Sequence, residues 1–74
     1  MHIQIVMDRH GDTRHTFDPT NTRSLADAEA RFKHLTGKGF RAVAPGKEGQ
    51  PGRLVREFDA TTEEMLFIPQ LEGG

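Results

Sequence analysis

Apolar and polar positions alternate from the start of the chain. Ile3, Ile5 and Met7 fall on one side, and Gln4, Val6 and Asp8 on the other. The spacing predicts a strand over 3–8 whose apolar face is Ile3/Ile5/Met7. His10-Gly11-Asp12 is turn chemistry, and Thr13 to Asp18 repeats the alternation with Thr13, His15 and Phe17 on one face. The two segments predict a hairpin. Asp18-Pro19 ends it, because proline removes a ladder donor and restricts the residue before it.

The period then changes. Leu25, Ala28, Phe32 and Leu35 are spaced as one stripe of a helix. Ser24 is placed as its N-cap and Asp27 as the acid of a capping box, so the helix is expected at about 24–36. Asp27/Arg31 and Glu29/Lys33 are spaced as i,i+4 ion pairs on its solvent side, and Gly37 and Gly39 supply the stop. Phe40 to Ala44 predicts a third strand and Pro45 to Gly52 a loop. Arg53 to Phe58 predicts a fourth strand with Leu54 and Phe58 on one face, and Met65 to Ile68 a last one, stopped by Pro69.

Hairpin, helix and further strands imply an α+β domain. One helix packs across a mixed sheet of four to five strands. Met65-Leu66-Phe67-Ile68 lacks clean alternation, as expected of a strand buried on both faces. It therefore belongs beside the first strand and parallel to it, which is the β-grasp arrangement. In that fold the helix stripe meets Ile3, Ile5, Phe17 and Phe67. Residues 1–69 form the domain, and 70–74 form a tail.

Length and charge narrow the function. A chain of 74 residues holds one modest core, so a presented surface or a tail is a more natural working part than a deep active site. Ten basic and eleven acidic residues are mixed along the chain for a net charge of −1. No basic stretch suggests a phosphate-backbone footprint, and nucleic-acid binding is not expected. The apolar run 65–68 is far short of the ~20 residues that span a membrane. His2, Asp8 and Arg9 interrupt any signal-peptide pattern, and the composition fits a cytoplasmic monomer. With no cysteine, disulfides, thiolate metal sites and cysteine nucleophiles are excluded.

Three segments resemble ubiquitin and its relatives. Met1-His2-Ile3-Gln4-Ile5 is similar to the family's opening strand. Phe17-Asp18-Pro19-Thr20-Asn21-Thr22 is similar to its approach to the helix. Met65-Leu66-Phe67-Ile68, then Leu71 and Gly73-Gly74, are similar to its last strand and diglycine tail. The departures are Pro69-Gln70-Leu71-Glu72 in place of a basic tail, and the less bulky Ala42-Val43-Ala44 before Pro45-Gly46-Lys47. The pattern resembles prokaryotic ubiquitin-like proteins and sulfur carriers more than ubiquitin itself.

The resemblance implies a β-grasp protein modifier that is not an enzyme and needs no cofactor of its own. An activating enzyme adenylates its Gly74 carboxylate with ATP. A conjugating enzyme, a deconjugating protease or a sulfurtransferase follows. Leu71, Glu72, Gly73 and Gly74 are the working tail, and Val43, Leu66 and Ile68 the partner-binding face. Glycines suit a narrow channel because the backbone approaches closely without a Cβ. Leu71 anchors the tail, and Glu72 selects the partner by charge. Two alternatives use the same residues differently: a sulfur carrier with a C-terminal thiocarboxylate, and a noncovalent β-grasp binding module.

Other constellations are weaker. Asp8, His10, Asp12 and His15 offer nitrogen and oxygen ligands near one hairpin end, but no spacing is diagnostic and no metal site is assigned. Gly46-Lys47-Glu48-Gly49 lacks the full phosphate-loop pattern and is read as a mobile loop. Phe17, Phe32, Phe40, Phe58 and Phe67 are expected in the core, with Phe58 or Leu66 as the exposed exception. No Ser/His/Asp or paired-carboxylate arrangement has the context of an active site.

Overall fold

The opening alternation forms β1, His2–Asp8, and the next segment β2, Gly11–Phe17, in the computed structural model, which describes residues 1–70. The two strands pair antiparallel from His2↔Phe17 to Asp8↔Gly11. The Asp8 carboxylate accepts the His10 N–H at 2.7 Å and fixes the turn. Helix α1, Thr22–Gly37, follows, then β3, Phe40–Ala44, β4, Arg53–Val55, and β5, Glu64–Pro69.

The five strands make one mixed sheet in the order β2-β1-β5-β3-β4. Strand β5 runs parallel to β1 and antiparallel to β3, so the apolar run sits in the middle of the sheet as expected, but it is not buried on both faces: the helix covers one side, while Leu66 is half-buried and Ile68 exposed on the other. Phe67 is completely buried there and Met65 nearly so. The fold is α+β, with one helix across one sheet face.

The helix begins two residues earlier than the sequence suggested, and Ser24 is not its N-cap. Asn21 holds that position, in extended backbone, and its side chain accepts the Ser24 N–H at 2.9 Å. The Ser24 hydroxyl reaches back and accepts the Asp18 N–H at 2.9 Å. Two good capping residues three positions apart have divided the work, one closing the helix and the other the turn before it. No acidic residue lies in the first turn, so Asp27 plays no capping-box role. Asn21→Ala is expected to lower stability by about 1 kcal/mol and Asn21→Ser by much less, read by chemical denaturation.

The stripe Ala28, Phe32 and Leu35 is buried as expected, with Leu25 half-buried at its start. It packs into a cluster with Val6, Ala42, Ala44, Val55, Met65 and Phe67. Phe32 is the hub of the aromatic contacts, with ring centroids 5.9 Å from Phe67 and 6.0 Å from Phe58. Phe17 reaches Phe58 at 6.1 Å, and His2 meets the Phe17 ring edge-on at 5.4 Å. Phe40 and Phe58 pack against this core half-buried. The fourth strand is shorter than expected, and its residues part: Leu54 is exposed, while Phe58, beyond the strand end, turns into the core.

The face of β1 that meets the helix is the opposite of the one its pattern suggested. Gln4 and Val6 point to α1 and the core, and Ile3, Ile5 and Met7 point away. Gln4 is fully buried, and both ends of its amide are satisfied. Its Nε2 donates to the Ala28 carbonyl at 3.1 Å, and its Oε1 accepts from Arg31 Nη1 at 2.8 Å. A buried amide is tolerable only when bonded in this way. Arg31 therefore turns to Gln4 rather than to Asp27. The expected Glu29–Lys33 pair does form, at 3.6 Å on exposed side chains, where it contributes little.

Candidate functional site

Residues directly opposite each other in a ladder share a sheet face. Ile5 pairs with Leu66, Leu66 with Val43, and Val43 with Leu54. These four side chains therefore form one row across β1, β5, β3 and β4, on the face away from the helix. Ile68 stands beside the row, opposite Arg41, and Met7 stands opposite Asp12. Arg14, opposite Ile5, continues the row onto β2. Ile5 is buried by its neighbours, Leu66 and Val43 are half-buried, and Leu54 and Ile68 are 51% and 39% exposed.

The structure thus brings together the three residues singled out for partner binding. Val43 and Leu66 are direct ladder neighbours, and Ile68 is two residues along β5 on the same face. Ile5, Met7 and Leu54 belong to the same surface and were missed. The alternation of β1 assigns Ile5 and Met7 to the core, and the pattern over 53–58 puts Leu54 on one face with Phe58. Leu66 is half-buried within the row, and Phe58 is half-buried against the core. The exposed part of this surface is Leu54, Ile68 and Met7, beside the half-buried Leu66 and Val43.

One end of the face is shaped by the loop 45–52. Gly46 sits so close to the carbonyl oxygens of Gln50 and Pro51 that any side chain there would overlap them. The loop folds on itself through a bond from the Gln50 N–H to the Lys47 carbonyl at 2.7 Å.

At the other end the chain leaves the sheet. Phe40↔Pro69 is the last β3–β5 pair, and the Gln70 N–H donates to the Gly39 carbonyl at 3.3 Å. This tether includes Gln70, which the sequence had placed in the tail. Leu71, Glu72, Gly73 and Gly74 lie outside the described residues.

The pleat separates the nitrogen and oxygen groups near the first hairpin. Asp12 pairs with Met7 and His15 with Gln4, which places Asp12 and His15 on opposite faces. Asp8 is occupied with the His10 N–H. Among the described residues no group of three acidic, histidine or cysteine side chains is arranged to hold a metal.

Three titratable groups tie stability to pH. Burial and then the positive Arg31 hold His15 below its ordinary value. Asp18 is held down by its bonds from the Thr20 hydroxyl and N–H, and Asp59 by the same pair from Thr61. In all three the folded state binds the proton less readily than the unfolded state, so acid lowers stability. The His15 contribution is lost as pH falls below ~6.5, and those of Asp18 and Asp59 as it falls below ~4. The expected result is a two-step decline in denaturation midpoint. His15→Asn should flatten the upper step, and Thr20→Ala with Thr61→Ala the lower one.

No helix among the described residues is long and apolar enough to cross a membrane. No protein-family profile matches the chain, and no curated protein and no solved structure matches it.

Proposed function

We propose that this chain is a β-grasp protein modifier of the ubiquitin-like kind, in which Gly74 carries the reacting carboxylate. The observation that carries the reading is the apolar row Ile5–Leu66–Val43–Leu54 on the uncovered face. Its central residue, Leu66, lies on β5, the strand that leads through Pro69 and Gln70 toward Gly73-Gly74. A partner seated on the row is therefore beside the strand that delivers the tail. The parallel β1–β5 pair at the centre of the sheet and the single helix crossing it suit the β-grasp reading.

The chemistry belongs to partners. In an activating enzyme a Gly74 carboxylate oxygen attacks the α-phosphorus of ATP. The bond to the β-phosphate oxygen breaks, and pyrophosphate leaves. A partner thiol then loses its proton and displaces AMP to give a thioester. A lysine amine takes the acyl group as an isopeptide and returns the thiol. This protein supplies the electrophile and the docking face, and acts as substrate rather than catalyst. A sulfur carrier would share the first step and divert the acyl adenylate to a thiocarboxylate.

The test is mass spectrometry of the protein recovered from its native cells. Arg56 is the last basic residue, so trypsin leaves the whole segment 57–74 on a modified lysine. Glu72 immediately precedes the glycines, so a glutamate-specific protease leaves only a diglycyl group. Lysines of other proteins bearing that group support the modifier reading. A sulfur-for-oxygen mass change on Gly74 moves the assignment to a carrier. Gly74 found only as a free, unmodified carboxylate, or internal to a longer chain, overturns both.

A further inference from the structure

Gly39 joins the end of the helix to the start of the tail. Three backbone bonds close the helix: Lys38 N–H to the His34 and Leu35 carbonyls, and Gly39 N–H to the Thr36 carbonyl, all at 3.1 Å. Gly39 then turns the chain into β3 with φ 99°, a conformation that L side chains rarely adopt. Its own carbonyl accepts the Gln70 N–H at 3.3 Å, one residue beyond the last β3–β5 pair. Lys38, Gly39, Phe40, Pro69 and Gln70 line a recess of about 300 Å³ at this point.

Space does not explain this glycine. A Cβ built at Gly39 meets nothing within 4 Å, in contrast to Gly46, where backbone oxygens block it. The requirement is one of backbone conformation alone. The conformation in turn decides where the Gly39 carbonyl points and so where the chain is last held before residue 71.

We infer that Gly39 is a positioning residue for the reaction at Gly74, fixing through Gln70 the point and direction at which the tail leaves the body. This rests on the modifier reading, since a tail without chemistry needs no aim. A partner seated on Leu66 and Val43 receives the tail from a set origin. Releasing Gln70 removes the fixed origin at residue 70, so fewer encounters present the Gly74 carboxylate to ATP. Docking is untouched, and the loss falls on turnover, because misplacement costs rate even when binding holds.

The experiment uses the full chain with Gly39→Asn, Gly39→Ala, Gly39→Val and Gln70→Pro. The last removes the donated hydrogen without altering the helix end. It also restricts Pro69 to extended backbone, which a strand residue already adopts. Amide hydrogen exchange reads Gln70 in the Gly39 variants, with Val6 and Phe67 as core controls. Desalted extract of the native cells, with ATP and labelled pyrophosphate, reads exchange into ATP as each protein is titrated.

Gly39→Val should free the Gln70 amide and leave the core amides protected. The maximal exchange rate should fall about tenfold while the half-saturating concentration stays within about twofold. Gln70→Pro should lose rate similarly, and it retains the test if Gly39→Val does not fold. Asparagine tolerates positive φ best and β-branched valine worst, so activity should rank Asn, then Ala, then Val. A ranking that favours Ala over Asn would mean that size matters, and would overturn the inference. So would a freed Gln70 amide with an unchanged maximal rate, or a loss confined to the half-saturating concentration. A chain lacking Gly73-Gly74 runs alongside. If it elicits full exchange, the modifier reading itself has failed, whatever the Gly39 variants show.

Discussion

If the chain is the modifier proposed above, removal of Gly73 and Gly74 is expected to abolish adenylation and leave the melting temperature unchanged. The buried core runs from Gln4 to Phe67, and the last described hydrogen bond is donated by Gln70. Among the described residues, the core and the last hydrogen bond both lie before the glycines. On the modifier reading the chemistry lies after them, and truncation makes Glu72 the terminal residue. Its side chain would obstruct a channel shaped for residues without Cβ. Its carboxylate would also add a negative charge where ATP phosphates must approach. Gly74→Ala keeps the reach and adds one methyl, so it should impair the reaction less than truncation. The measurement is pyrophosphate exchange into ATP for wild type, truncation and Gly74→Ala, with a melting curve for each. Full exchange by the truncated chain would make the diglycine an ordinary end and defeat the modifier and carrier readings together. A substantial drop in melting temperature would make the tail part of the fold.

Strand β1 shows how the sequence conveyed the architecture and concealed the site. Its period of two was plain, and so was the strand. Its apolar side reads as the core side, but Ile3, Ile5 and Met7 face away from the helix, and Gln4 and Val6 face it. Periodicity reports which face is more apolar, not which face the protein covers. Gln4 looks like a solvent residue until the Ala28 carbonyl and the Arg31 guanidinium are placed on its amide. Those partners lie 24 and 27 residues away, beyond any local pattern. On the side away from the helix Ile5 is buried, Ile3 half-buried and Met7 exposed, so both faces of the strand hold apolar side chains and the period alone does not name the one that meets the helix.

The helix stripe and β5 were legible for a different reason. Ala28, Phe32 and Leu35 have one apolar face to offer, so period and burial coincide. Met65-Leu66-Phe67-Ile68 is apolar on both sides, and the structure uses both: Met65 and Phe67 in the core, Leu66 and Ile68 on the open face. The cap is ambiguous in the sequence because Asn21 and Ser24 are equally good capping residues. Only their bonds to Ser24 N–H and Asp18 N–H separate their roles.

Phe32→Ala is expected to destabilise the protein by about 3–5 kcal/mol. Phe32 is 3% exposed and touches Phe58 and Phe67 edge-on. It lies on the helix between Ala28 and Leu35, and helix and sheet meet through it. Truncation removes its transfer free energy and leaves a void lined by two other rings. The sheet behind Phe67 is held by β1 and β3 ladders and cannot close over the void. A domain of this size has a net stability of only about 3–5 kcal/mol, so the variant should be largely unfolded at 25 °C without denaturant. Phe32→Leu keeps much of the volume and should remain folded with a lowered midpoint. Asn21→Ala, at about 1 kcal/mol, is the companion measurement, because it removes a cap without opening a cavity. Urea denaturation of the four proteins, wild type included, gives the comparison. Losses of similar small size for Phe32→Ala and Asn21→Ala would mean that the helix is not fastened to the sheet through Phe32. The apolar row on the far side would then have to be reassigned as the principal core.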